Sequence, residues 1–253
     1  MSGRLDGKVA LITGTGGGMG RAAALKFAAE GALVIGCDIN EQTNEETVAA
    51  VHAAGGTMTG MAPVDLGDPD AASAWVEESA AVHGRIDVVF NNASTPKFGL
   101  MPDLSVEDWQ FTIRNELDLV FYVTKFAWPY LAERGGVIIS TASINAWVSS
   151  RGAGMAAHAA TKGGVLAMSR VFASDGAEHG IRAVSISPGP VKTPGTMHYW
   201  SMPGAEEAVA SILLSKRVGE PDDIASVAAF VASDEAEWMT GVDILVDGGL
   251  TAL

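Results

Sequence analysis

The apolar positions of the chain form short, nearly continuous runs rich in β-branched residues, and alanine-rich segments with helical spacing separate them. Runs that are apolar throughout are typical of parallel strands covered on both faces. The pattern predicts strands at 8–13, 32–38, 86–91, 136–141, 181–187 and 242–248, with a weaker one at 56–65. It predicts helices around 19–30, 41–54, 69–83, 105–133, 155–179 and 221–233.

Several predicted helices carry start signals. Asp68-Pro69 and Glu220-Pro221 place a proline in the first turn, and Ser105 precedes an acidic first turn. The alternation of strand and helix runs without a break in composition. It predicts a single α/β domain over 1–253, built on a doubly wound parallel sheet with right-handed crossovers. Residues 188–216, rich in Pro, Gly, Met and aromatics, interrupt the pattern, and we expect a substrate lid at about 190–216.

Charge, cysteine content and the lack of certain sequence patterns exclude several kinds of partner and site. The formal net charge of −14 argues against nucleic acid or an anionic membrane surface as a partner. A single cysteine, Cys37, excludes an internal disulfide and fits a reducing compartment. No apolar run approaches the roughly 20 residues of a membrane span, no signal-peptide pattern opens the chain, and no His/Cys/Asp/Glu cluster has metal-ligand spacing. We therefore expect a cytoplasmic protein with no metal in its site.

The segment TGTGGGMG at 13–20 follows the first predicted strand and opens the first helix. Glycines there allow a tight turn and bring backbone N–H groups against a pyrophosphate. Asp38 closes the second strand, where a carboxylate can accept hydrogen bonds from the adenosine ribose and would repel a 2′-phosphate. No Arg or Lys lies within 13–20 or 37–42, so the sequence favours NAD over NADP.

With these motifs the chain resembles the classical short-chain dehydrogenases/reductases, which have a Rossmann fold. The spacing Thr-Gly-x-x-x-Gly-x-Gly at 13–20, VDLGD at 64–68, NNAS at 91–94, SPGPVKTP at 187–194 and the segment 217–249 carry the resemblance. It implies an oxidoreductase that binds NAD. The implied cofactor residues are Gly14, Gly18, Met19, Gly20, Asp38, Asp65, Leu66, Asn91, Ala93, Lys162, Pro188, Val191 and Thr193.

The resemblance also implies a catalytic set of Asn115, Ser143 and Lys162, but the family's tyrosine, four residues before the lysine, is His158 here. In the family the tyrosine exchanges a proton with the substrate oxygen, the serine holds that oxygen, and the asparagine supports the lysine. Ser94 also replaces the usual glycine after Asn-Asn-Ala, and the segment 149–155 lengthens the spacing between serine and tyrosine positions.

Histidine in the tyrosine position changes the expected chemistry. A nearby ammonium and an oxidised nicotinamide disfavour a second positive charge on the ring, so we expect a neutral imidazole and a bias toward alcohol oxidation. Imidazole is also shorter than phenol, so its reach to the substrate is reduced. The alternative is a catalytically impaired NAD-binding subunit or scaffold of a mixed oligomer; an epimerase or dehydratase is a further one.

The expected substrate pocket combines Ser94 and residues of the predicted lid. Its remaining candidates are Trp147, Met155, Met197, Tyr199 and Trp200. Aromatic and methionine side chains favour an apolar, cyclic or aromatic secondary alcohol or ketone. The resemblance implies a homotetramer or dimer, and a hetero-oligomer with a fully equipped partner would suit the impaired-site alternative.

Overall fold

The computed structural model describes residues 3–149 and 152–252. The described residues form one α/β domain around a seven-stranded, wholly parallel sheet with strand order β3-β2-β1-β4-β5-β6-β7. The strands are β1 Val9–Thr13, β2 Leu33–Cys37, β3 Thr57–Met61, β4 Val88–Asn91, β5 Gly136–Thr141, β6 Ile181–Pro188 and β7 Asp243–Val246. The predicted doubly wound parallel sheet is confirmed.

Helices cover both faces of this sheet. They are α1 Gly18–Ala29, α2 Glu41–Ala53, α3 Pro69–His83, α4 Val106–Ile113, α5 Leu119–Ala132, α6 Ala156–Gly176, α7 Met197–Trp200, α8 Ala205–Ile212 and α9 Pro221–Ala232. Phe27 of α1 and Ala228 of α9 belong to the core on one face. Trp75 of α3, Val123 of α5 and Val165 of α6 belong to the core on the other.

The predicted helix at 105–133 is not one regular α-helix. A π-helical turn, Arg114–Asp118, separates α4 from α5. Such turns insert an extra residue, rotate the side chains around them and occur often at functional sites. The apolar pattern is continuous across this segment, so it carries no signal of the change in pitch.

The sheet order reverses between β1 and β4, where chain connections leave in opposite directions. In open parallel sheets this reversal opens a crevice at the carboxyl ends of the strands, the usual place for a ligand. Gly14, Asp38, Asn92 and Ser143 all follow strands at that edge. The lengthened segment at 149–155 includes residues 150 and 151, which lie outside the described part of the chain.

Candidate active site

The glycine turn after β1 leaves no room for side chains. A Cβ on Gly20 would lie 2.0 Å from the carbonyl oxygen of Gly14, and Gly14 itself has φ of +74°. Helix α1 begins at Gly18, and the N-cap residue Gly17 makes no side-chain cap, so the first N–H groups of the helix remain available. Available N–H groups at a helix start, reached through bare backbone, fit a pyrophosphate.

Asp38 lies beside this turn at the end of β2. Its Oδ2 accepts a 2.8 Å hydrogen bond from the N–H of Gly16, and its Oδ1 accepts one from Asn40. The carboxylate is therefore fixed next to the glycine turn, where a ribose attached to a bound pyrophosphate would lie.

Arg21 is a cation near this site that sequence reasoning missed, because it lies one residue beyond the glycine motif. Its Nη2 donates to the carbonyl oxygens of Gly16 and Thr43, and its Nε donates to Thr47. The guanidinium also pairs with Glu46 at 3.2 Å. These partners take up much of its hydrogen-bonding capacity.

The expected adenine-lining pair has two different environments. Leu66 is buried, whereas Asp65 pairs with Arg114 at 2.8 Å. That guanidinium lowers the pKa of the Asp65 carboxyl. The ion pair joins the segment after β3 to the π-helical turn that precedes α5.

Residues at the end of β4 and just after it make contacts within the protein. Asn91 is buried, and its side-chain amide donates to Thr124 and, weakly, to Ser140. The N–H groups of Asn92 and Ala93 both donate to Oγ1 of Thr13. These bonds hold the end of β4 against the start of the glycine turn.

The loop after β6 approaches the glycine turn from the other side. Pro188 ends β6, and Val191 is buried and bridges to Gly219. A Cβ on Gly18 would lie 3.2 Å from Cβ of Thr193. Met19 is partly buried and packs against the hydrophobic core.

Lys162 is bonded to the end of β5, the strand that precedes Ser143. Lys162 is buried, and its Nζ donates a 3.0 Å hydrogen bond to the carbonyl oxygen of Thr141, two residues before Ser143. Burial lowers the pKa of the Lys162 ammonium, and the Glu116 carboxylate acts in the opposite direction. The Ser143 hydroxyl exchanges hydrogen bonds with Asn145 in the following turn.

Asn115 makes no direct hydrogen bond to Lys162 or Ser143 in the described residues. Its side-chain amide donates to the carbonyl oxygen of Phe111, one helical turn back, and its backbone carbonyl oxygen accepts from the N–H of Thr95. The resemblance implies that Asn115 supports Lys162, commonly through a water chain, and that support stays a prediction. The π-helical turn directs the next residue, Glu116, toward the lysine.

Glu116 is the central residue that sequence reasoning missed. Its side chain has no exposed surface, and Nδ1 of His158 lies 2.9 Å from each of its two carboxylate oxygens. Oγ1 of Thr161 donates to it at 2.6 Å and Oγ of Ser94 at 2.5 Å. Nζ of Lys162 lies 3.9 Å away. The Ser94 hydroxyl therefore donates a hydrogen bond to Glu116 that the family's usual glycine, which has no side chain, could not make.

The charge state of Glu116 follows from this environment. Burial by itself raises the pKa of the carboxyl, but the Lys162 charge, the contact with His158 and the Ser94 hydroxyl outweigh it and lower the pKa to about 2. The carboxylate is ionised at neutral pH, and it can only accept hydrogen bonds.

The expected pocket residues divide into two groups. Met155 lines an open depression of about 300 Å³ together with Leu100, Met101 and Val148. Trp147 is half exposed, and its indole N–H donates to Asp243. Met197 and Tyr199 are exposed on α7, and the indole of Trp200 donates to Thr196 and Val191. Phe98, which the sequence did not single out, packs its edge against the His158 ring.

The described ranges contain neither a metal-binding cluster nor a membrane-spanning helix. No group of three or more His, Cys, Asp or Glu residues there is arranged to hold a metal ion. No helix within 3–149 or 152–252 is long and apolar enough to cross a bilayer.

Comparison with known proteins agrees with this architecture. A family model described as enoyl-(acyl carrier protein) reductase matches residues 14–251. The chain is 38% identical to the meso-2,3-butanediol dehydrogenase of Serratia marcescens, over 98% of this chain and 96% of that protein. It is 33% identical to the cyclohexanol dehydrogenase of Acinetobacter sp. (strain SE19), over 100% and 98%.

A solved structure extends the similarity to three dimensions. The crystal structure of a short-chain type dehydrogenase/reductase from Mycobacterium marinum superimposes with a TM-score of 0.93 at 26% identity, covering 98% of this chain and 97% of that one. With a family model over most of the chain and relatives that match it nearly end to end, this protein belongs to the short-chain dehydrogenase/reductase family and is an oxidoreductase.

Proposed function

We propose that this oxidoreductase uses NAD to interconvert a secondary alcohol and a ketone, with His158 as the group that exchanges the proton. The observation that carries the proposal is the position of His158 one helical turn before the buried Lys162, on the same face of α6. This face lies against the turn that follows β5 and Ser143.

The choice of NAD depends on Asp38. A carboxylate fixed beside the glycine turn can accept hydrogen bonds from a ribose diol, and it repels the extra phosphate of NADP. Arg21 is a nearby cation that would favour NADP. Its hydrogen bonds to Gly16, Thr43 and Thr47 support a structural role instead.

The nicotinamide ring supplies the hydride acceptor or donor when it is bound. In the oxidation direction, a ring nitrogen of His158 takes the hydroxyl proton of the alcohol. The electron pair of that O–H bond becomes part of the new C=O bond, and the carbon releases its hydrogen as hydride. Ser143 is suited to hold the substrate oxygen, and Lys162 to bind the nicotinamide ribose.

The expected bias toward oxidation stays a prediction, and Glu116 bears on it. The expectation rested on two positive charges near the ring, the Lys162 ammonium and an oxidised nicotinamide, whereas the ionised Glu116 adds a negative charge 3.9 Å from that ammonium and 2.9 Å from His158. This carboxylate offsets part of the cost of a proton on the ring. We propose that His158 can serve as base in oxidation and as acid in reduction.

A small, partly apolar substrate is the proposed class. The depression beside the site is lined by Leu100, Met101, Val148 and Met155. The relatives are named for a vicinal diol and for a cyclic alcohol. Both are secondary alcohols, and each places a hydrocarbon group next to the reacting carbon.

A homotetramer or dimer is proposed as the working assembly. Helices α4 and α5 leave Val106, Trp109, Phe111 and Phe121 substantially exposed, and α6 exposes Val171. An exposed set of this kind is typical of a contact surface between subunits. Light scattering on the purified protein tests the assembly, and co-purification of a second family member would favour the hetero-oligomer.

The test of function is a cofactor-reduction screen with NAD⁺ and NADP⁺ against 2,3-butanediol stereoisomers, cyclohexanol and aromatic secondary alcohols. We expect NADH to accumulate with at least one of them. Binding of NAD⁺ by calorimetry without NADH from any alcohol would favour the impaired subunit. Substrate conversion without net NADH would favour an epimerase or dehydratase.

A further inference from the structure

The buried carboxylate of Glu116 accepts hydrogen bonds from several segments of the described chain. His158 and Thr161 approach from α6, Ser94 from the segment after β4, and Lys162 supplies a nearby positive charge. A buried charge is tolerated only when it is paired and hydrogen-bonded. Lys162 is the only other titratable side chain with a recorded contact to the Glu116–His158 pair in the described residues.

The contact with His158 determines which ring nitrogen carries the hydrogen. An ionised carboxylate accepts hydrogen bonds and cannot donate them, so Nδ1 must be the N–H at 2.9 Å. In the neutral ring, Nε2 then has the free lone pair. No hydrogen bond to Nε2 is recorded from the described residues, and the edge of Phe98 packs beside the ring.

We propose that Glu116 is a positioning residue that fixes the His158 tautomer, so that the two side chains form a carboxylate–imidazole pair in place of the family's tyrosine. This inference depends on the proposed function of His158. The alcohol proton goes to Nε2 and forms a new N–H bond. The Nδ1 proton stays on the ring, where its hydrogen bond to Glu116 stabilises the imidazolium. In the reduction direction Nε2 returns the proton.

The proposal makes Glu116 and His158 a matched pair. A tyrosine placed at 158 by itself would face the Glu116 carboxylate, and a nearby negative charge opposes ionisation of a phenol. A neutral side chain at 116 removes that opposition. Replacing His158 by tyrosine alone should therefore do less than replacing both His158 and Glu116.

The first readout is independent of turnover. Long-range proton–nitrogen correlation NMR on the cofactor-free protein reports which nitrogen of His158 carries hydrogen. We expect the Nδ1–H tautomer in the wild type and in Glu133→Gln, a control that removes an exposed carboxylate at the end of α5. In Glu116→Gln we expect a mixture of tautomers, because an amide can both donate and accept.

The second readout is kinetic. We expect Glu116→Gln to lower kcat by about 10²-fold or more, by analogy with the loss of a general base's support, with KM for NAD⁺ changed by less than about threefold. Glu116→Asp, which keeps the charge, should retain more activity than Glu116→Gln. His158→Tyr with Glu116→Asn should exceed His158→Tyr alone.

Thermal melts of every variant establish folding. If Glu116→Gln does not fold, the wild-type tautomer and the comparison of His158→Tyr alone with His158→Tyr plus Glu116→Asn decide the proposal. A wild type with the Nε2–H tautomer would overturn the proposal, as would a Glu116→Gln protein with wild-type tautomer and kcat. A wild type that shows the Nδ1–H tautomer but oxidises no alcohol would support the positioning geometry and count against the proposed function.

Discussion

The carboxylate of Asp38 accepts a 2.8 Å hydrogen bond from the backbone N–H of Gly16. A Cβ placed on Gly16 would lie 2.8 Å from the Asp38 carboxyl carbon, so the two residues are packed without spare room. The acidic group is thus held rigidly at the edge of the nucleotide crevice.

Replacing Asp38 should change cofactor preference. For Asp38→Ser we expect NAD⁺ affinity to fall by about tenfold, the value of roughly one charged hydrogen bond, and NADP⁺ affinity to rise because the repulsion is removed. Calorimetry with both nucleotides measures this. Asp103→Asn, at an exposed loop position, is the control. An unchanged preference in Asp38→Ser would contradict the assignment.

Gly20 should tolerate no side chain. Gly20→Ala places a methyl group 2.0 Å from the Gly14 carbonyl oxygen, so the turn must shift, and we expect a loss of stability of about 1–3 kcal/mol with weakened nucleotide binding. Gly163→Ala in α6 meets no atom within 4 Å, and it should be neutral or stabilising by up to about 1 kcal/mol. Urea unfolding measures the free energy of unfolding of both variants. Equal changes in the two would contradict the prediction.

Lys162 and Glu116 should be coupled energetically. Lys162→Met leaves the carboxylate buried without its cation, which costs about 3–5 kcal/mol. The double variant with Glu116→Gln should lose less than the sum of the two single changes. A double-mutant cycle by denaturant unfolding measures the coupling, and strict additivity would show that the 3.9 Å approach has no energetic role.

The pKa of Glu116, lowered to about 2, makes a prediction about acid stability. The ordinary value is 4.5, so an unfolded chain takes up this proton first as the pH falls. The stabilisation is complete above about 4.5 and is lost as the pH falls toward 2, with a pH-dependent part on the order of 3 kcal/mol. Unfolding free energies of the wild type and Glu116→Gln should therefore converge over that range. A constant difference would contradict the lowered pKa.

The sequence predicted the sheet well because its strands are buried on both faces and have no polar alternation, as in Val9–Thr13 and Gly136–Thr141. The glycine turn was predicted equally well, because steric requirements fix the spacing of its glycines. The catalytic site was predicted less well. Nothing in the apolar pattern of 105–133 indicates a π-helical turn in which Glu116 is buried and the Asn115 amide bonds back to Phe111.

The same turn explains why the sequence did not reveal the carboxylate beside His158. From the sequence, Glu116 lies in a helix among polar neighbours and is typical of a solvated residue. Its burial depends on the change in helical pitch and on three donors from distant segments, Ser94, His158 and Thr161. Ser94 was noted as a departure from the family, but its partner could be found only in the folded chain.

The most direct test of the central claim compares initial rates of NADH formation by the wild type and His158→Ala, at saturating NAD⁺ with the best alcohol of the screen. The account predicts a fall in kcat of about 10²- to 10⁴-fold, the usual contribution of a positioned acid–base group, with NAD⁺ affinity preserved. A His158→Ala protein whose kcat stays within about twofold of the wild type would contradict it.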